Sequence, residues 1–224
     1  MKHLIILLLV AIIAICCHKA AVQAPLQPAT FKNVLILGNS ITYAPANPSI
    51  GWNNSWGMAA SIADSDYVHL LTARFKGANK SAVVAAVNIA EFEGDFDNYD
   101  FDTNLKSYKD SKPDLIILRI GENVLTTDSV EFEKRYVDLL TYFKANNPNV
   151  KILAAASVWP DRDLADKVMS RHSDYISLIG LESDLTNFAF GLFANAGIQS
   201  HPDDKGMRLI SNMIWTAVGK LKPD

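Results

Sequence analysis

A hydroxyl, an imidazole and an amide stand out as groups that could do chemistry together: Ser40 in Gly38-Asn39-Ser40-Ile41-Thr42, His201 in His201-Pro202, and Asn123 in Gly121-Glu122-Asn123. Cleaving an ester needs a nucleophile, a base within hydrogen-bond reach, and donors aimed at the oxyanion that develops. Ser40 offers the hydroxyl and its own backbone N–H, and Asn123 offers a side-chain amide. Both follow apolar runs, Asn33-Val34-Leu35-Ile36-Leu37 and Asp114-Leu115-Ile116-Ile117-Leu118-Arg119-Ile120, so both stand where open α/β sheets bind ligands. Plainer roles are open to each. A small polar residue after a strand often only makes the turn into the next helix, and an Asn there often only caps it.

The chain order of these blocks, with a glycine-bearing turn after Val83-Val84-Ala85-Ala86-Val87-Asn88, resembles the SGNH or GDSL hydrolase superfamily over roughly residues 32 to 220. The resemblance implies a flavodoxin-like three-layer α/β/α fold and an ester hydrolase in which Ser40 is the nucleophile and His201 the base. Its oxyanion donors would be Ser40, Gly94 and Asn123. Of the other histidines, His3 and His18 fall in or beside the N-terminal apolar run, and His69 and His172 belong to helical patterns. Three departures follow. Asn39 stands where the superfamily carries an aspartate, and the spacing that should reach a glycine lands on Glu93, one residue before Gly94. Ile198 occupies the position of the triad acid, three residues before the histidine. Without that acid, the imidazole must be oriented by a backbone carbonyl or by a displaced carboxylate such as Asp161. Asp203 and Asp204 are read as the cap of the last helix.

Arg119 is a guanidinium within an apolar strand, and unpaired burial would cost several kcal/mol. It therefore requires a carboxylate, with Glu91 and Glu122 as candidates for a structural ion pair and contact with substrate as the other reading. Trp52 and Trp56, in the long loop after the nucleophile, and Trp159, after the fourth strand, are candidate substrate-binding rings. Aromatic faces beside amides suit a sugar, and the alternative is that they cover the core.

The elements that would hold these residues alternate along the chain. Apolar strands are expected near 33–38, 82–88, 114–120, 150–156 and 174–179, and helical patterns at 57–76, 129–145, 161–171 and 204–221. That alternation predicts a parallel sheet with helices on both faces. Residues 1–24 read as a secretory signal: a basic start, then an apolar run too short for a membrane span of about 20 residues. Two processing routes stay open, cleavage after Ala24 or lipid attachment at Cys16-Cys17, the only cysteines. Residues 25–224 are then one hydrolase domain without an internal disulfide, exported to the periplasm or cell surface and, on the lipid route alone, attached to a membrane through the N-terminal lipid.

The net charge of −3, with acids and bases interspersed, points away from a nucleic-acid-binding face. No spacing suggests a metal site, and Gly38-Asn39-Ser40 lacks the further glycines of a dinucleotide turn, so no cofactor is expected. The leading expectation is an exported serine esterase acting on small acyl, chiefly acetyl, esters of carbohydrate. Two alternatives use the same sequence: a glycan-binding protein on a degenerate hydrolase fold, and a transacylase.

Overall fold

The computed structural model describes residues 31–125 and 129–221, so the signal expected at residues 1–24 lies outside the described residues. Five strands form one parallel sheet: β1 (Asn33–Gly38), β2 (Val83–Asn88), β3 (Leu115–Arg119), β4 (Lys151–Ala155) and β5 (Asp174–Ile176), in the order β2-β1-β3-β4-β5. This is the flavodoxin-like order, whose switch point lies between β1 and β3. The two strands that deliver Ser40 and Asn123 are therefore neighbours, with Gly38 opposite Arg119.

The helices are α1 (Tyr67–Ala78), α2 (Ala90–Gly94), α3 (Phe101–Asp110), α4 (Ser129–Lys144), α5 (Asp163–His172), α6 (Ala196–Gln199) and α7 (Asp204–Val218). Side chains alternate across each strand, so Val34, Ile36, Leu115 and Ile117 pack on one face against Leu71 and Phe75 of α1 and Ile210 and Ile214 of α7. Leu35, Leu37, Ile116 and Leu118 face the other way, onto Leu105 of α3, Phe132 and Leu139 of α4 and Val168 of α5. Both faces are covered, which is why the strands read as continuous apolar runs.

Two differences from the expected elements have local causes. The helix expected from residue 57 begins at Tyr67, because Asp66 caps it through the His69 N–H (2.7 Å) and also takes the Gly57 N–H (3.0 Å), folding residues 57–66 into a loop. Helices α2, α3 and α6 have no counterpart among the expected elements. α3 buries only Leu105 fully, so its apolar stripe is too thin to show a period, and its start depends on the Asp100 cap.

Candidate active site

The turn after β1 is built around a close approach. A Cβ on Gly38 would overlap the Thr42 hydroxyl and lie 2.7 Å from the Arg119 carbonyl oxygen, so only glycine lets β1 end this tightly against β3. The Asn39 side-chain oxygen then accepts the Ile41 N–H (3.1 Å), an Asx turn that presents Ser40 at the sheet edge. The Ser40 carbonyl accepts the Met58 N–H (2.9 Å), while its own N–H has no intramolecular acceptor among the described residues.

Ser40 Oγ lies 2.7 Å from His201 Nε2 across 161 residues of chain. The imidazole's other nitrogen, Nδ1, donates to the Gly197 carbonyl (2.8 Å), which also accepts the Ser200 hydroxyl. That carbonyl is free because α6 ends at once: the His201 N–H bonds to Ile198 (3.0 Å) rather than closing another turn on Gly197. The Nδ1–H tautomer leaves Nε2 as the acceptor facing Ser40. Burial lowers the His201 pKa below its ordinary 6.5, keeping the ring neutral near pH 7. Ile198 is 1% exposed and packs with Trp52 and Ala189, so the triad-acid position is part of the core. Asp203 caps α7 by accepting from Lys205 and Gly206, as expected, whereas Asp204 instead holds Ser61.

Asp161 is not brought to His201: its side chain is 72% exposed and pairs with Arg162 at 2.6 Å, because the turn before α5 projects it outward. Asp161→Asn is accordingly expected to leave ester turnover within about twofold of the parent. A triad carboxylate would instead show a loss of about 10⁴-fold in steady-state kinetics.

Behind the Ser40–His201 pair lies a buried polar cluster. Arg119, fully buried, forms a two-pronged pair with Glu122, each oxygen 2.5 Å from a guanidinium nitrogen. Glu122 also accepts from Asn39 Nδ2 (2.6 Å) and the Val158 N–H (2.9 Å), tying together the ends of β1, β3 and β4. Burial opposes its ionisation, but the Arg119 charge and these donors hold its carboxyl below the usual range. Glu91, the other candidate partner, is exposed on α2 and does not pair with Arg119, since the helix turns it away from the sheet. Gly121 has φ +130°, which lets the chain leave β3 and swing Glu122 back under Arg119.

Glu93 registers in the sequence only as a missing glycine, yet its side chain is buried against Asn123, whose Nδ2 donates to it at 2.8 Å. Gly94 is exposed at the last position of α2 and does not line the cleft, because the helix carries Glu93 inward and the following residue out.

The cleft over Ser40 holds about 200 Å³ and is lined by Glu122, Asn123, Trp159, Arg162, Ser200 and His201. Trp159 stacks on Phe188 (4.6 Å between centroids), and Phe190 continues the aromatic rim. Trp52, expected at the substrate, is fully buried and gives its indole N–H to Ala44. Trp56 is half-buried, crosses Trp52 edge-on, bonds to Ala60 and lies outside the cleft. Both roof a small satellite core with Ile198, which is what the loop after Ser40 needs to be ordered. Nothing in the sequence marks Arg162; its Nε donates to the Glu122 carbonyl (2.7 Å), so a helix-cap residue with no motif becomes a wall of the cleft. A groove of about 440 Å³ between β5 and α7 is larger but is lined by Ile176, Ser177, Asn212, Met213 and Thr216, with no base near its hydroxyls. Among the described residues no cluster of metal-ligating side chains occurs, and no helix is long and apolar enough to cross a membrane.

No protein-family model and no curated protein matches the chain. Solved structures do. A two-domain esterase active on acetylated mannans matches at 16% identity and TM-score 0.55, over 86% of this chain and 50% of that one. A family two carbohydrate esterase from Cellvibrio japonicus matches at 16% identity and TM-score 0.52, over 84% and 61%. A GDSL-like lipase from Parabacteroides merdae matches at 18% identity and TM-score 0.52, over 85% and 96%. The chain thus spans only about half to three fifths of the two carbohydrate esterases. At these identities the likeness establishes the architecture, and the chain has the three-layer α/β/α fold of the SGNH/GDSL hydrolases.

Proposed function

We propose that this chain is an exported serine esterase that removes small acyl groups, acetyl in the first place, from carbohydrate hydroxyls. The observation that carries the reading is the Ser40–His201 contact at 2.7 Å, with the far side of the ring tethered to the Gly197 carbonyl. Ser40 Oγ attacks the ester carbonyl carbon as its proton passes to His201 Nε2. The resulting oxyanion faces the unbonded Ser40 N–H and the second N–H of the Asn123 amide. The imidazolium then protonates the departing sugar oxygen, the C–O bond breaks, and a water repeats the sequence to release the acid and free Ser40.

The cleft supports a small acyl group carried on a sugar as the substrate. A volume of about 200 Å³ accommodates a short acyl group and not an extended lipid chain. Trp159 and Phe190 at its edge offer flat apolar faces to a sugar ring. The structural neighbours include an esterase described as active on acetylated mannans, which is consistent with this class. Export rests on the basic and apolar pattern of residues 1–24.

The test is acyl-chain selectivity on aryl esters together with acetate release from acetylated mannan and xylan oligosaccharides. Acetyl esters are expected to exceed octanoyl esters in kcat/KM by at least about tenfold, since an eight-carbon chain cannot enter the cleft. A preference for the long chain, or no turnover of any ester, would sink the proposal.

A further inference from the structure

Glu93 is 1% exposed, and the four hydrogen bonds to its carboxyl all come from N–H donors. Oε1 accepts the Gly121 N–H (2.5 Å), Asn39 Nδ2 (3.3 Å) and the Asn123 N–H (3.4 Å), and Oε2 accepts Asn123 Nδ2 (2.8 Å). A protonated carboxyl must itself donate, and here its proton would meet an N–H whichever oxygen carried it. The arrangement is therefore that of the ionised form. The Asn123 amide has two N–H groups, and the one held by Glu93 determines where the other points.

We propose that Glu93 is the positioning residue of the oxyanion site: its carboxylate aims the Asn123 amide into the cleft, and protonating it turns that amide away. The proposal rests on the esterase reading for its effect on turnover. The linkage between the two side chains is a separate physical claim.

The groups facing Glu93 decide where it titrates. Glu122, from the turn after β3, repels its charge; Arg119, from β3, attracts it; Asn39, from the turn after β1, and the Gly121 and Asn123 N–H groups donate to it. Glu91 lies on the same helix but is exposed. Asp166, from α5, acts one step removed, through Glu122 and the Ser157 N–H (3.1 Å). Burial and then Glu122 push Glu93 up to about 7, against the hydrogen bonds and Arg119. Its charge is thus retained above that pH and lost below it, whereas His201 gains its proton only below 6.5. The acid side of the kcat/KM profile should consequently fall in two proton steps, the upper one near 7.

Two measurements test this. In Glu93→Gln, an isosteric amide places an NH₂ against the Asn123 amide, so kcat should fall by about 10²–10³-fold with KM within about threefold, as for loss of an oxyanion donor. The upper proton step should also vanish. Independently, the ¹⁵N side-chain amide signals of Asn123, assigned by their loss in Asn123→Asp, should titrate in the parent with a midpoint near 7, whether or not Glu93→Gln folds. An Asn123 signal that does not move between about pH 5.5 and 8.5 overturns the linkage even in an active esterase. So does a Glu93→Gln enzyme that keeps both the parent rate and the parent acid limb. An Asn123 titration in a protein that turns over no ester would support the linkage and overturn the esterase reading instead.

Discussion

On the proposed esterase reading, replacing Ser40 by alanine is expected to lower kcat for an aryl acetate by on the order of 10⁵-fold or more, while the thermal midpoint stays within about 2 °C. The rate effect follows from chemistry that has no second route: among the described residues, the only hydroxyl within hydrogen-bond distance of the His201 Nε2 is that of Ser40. The stability effect is small because the side chain contributes one contact at a half-buried position, and the turn that carries it is held by Asn39, Gly38 and the Met58 N–H instead. The same variant should fail to form the covalent adduct that an organophosphorus ester forms on the parent, read as a mass increase on the peptide bearing residue 40. Residual turnover above about 1% of the parent would place the nucleophile elsewhere.

The largest stability effect is expected at Arg119. Arg119→Met removes the cation that balances Glu122 and leaves a carboxylate in the interior with only Asn39 Nδ2 and the Val158 N–H as donors. Breaking one half of a buried ion pair costs about 3–5 kcal/mol. For a domain of this size that corresponds to a thermal midpoint lower by roughly 10 °C. Because the penalty is an unbalanced charge rather than lost packing, Arg119→Met combined with Glu122→Gln should recover much of it, a coupling that a double-mutant cycle reads directly. A single-variant shift under about 2 °C, or no recovery in the double variant, would mean that the pair does not hold the three strand ends together.

Several features are legible in the chain itself because they depend on residues close together in it. The central strands β1 and β3 are nearly continuous apolar runs, and the glycine, serine and asparagine that end them follow within a few residues. The rule that a buried guanidinium needs a partner narrows the choice to Glu91 and Glu122, and the structure selects Glu122, three residues from Arg119. The capping of α7 by Asp203 is local in the same way. The absence of a carboxylate in residues 195–200 excludes the usual triad, again from the sequence alone.

The remainder depends on which distant segments meet. What orients His201 is a main-chain carbonyl, and every residue has one, so nothing in the side-chain order marks Gly197 out; only the early end of α6 exposes it. Trp52 and Trp159 look alike as candidates, but Trp52 is enclosed by Ile198 and Ala189 from the far end of the chain, while Trp159 stays at the rim on Phe188. Glu93 reads as an interruption of a glycine position until the turns after β1 and β3 close around it and aim the N–H groups of Asn39, Gly121 and Asn123 at its carboxylate, from 28 to 54 residues away. Periodicity and composition therefore determined the sheet and the main helices flanking it, and the order of the short blocks, through the resemblance they carry, singled out Ser40 and His201 as candidates. The orientation of His201, the walls of the cleft and the placing of the Glu93 carboxylate beside Asn123 were decided by tertiary packing, because hydrogen-bond partners across long sequence separations leave no local pattern to read.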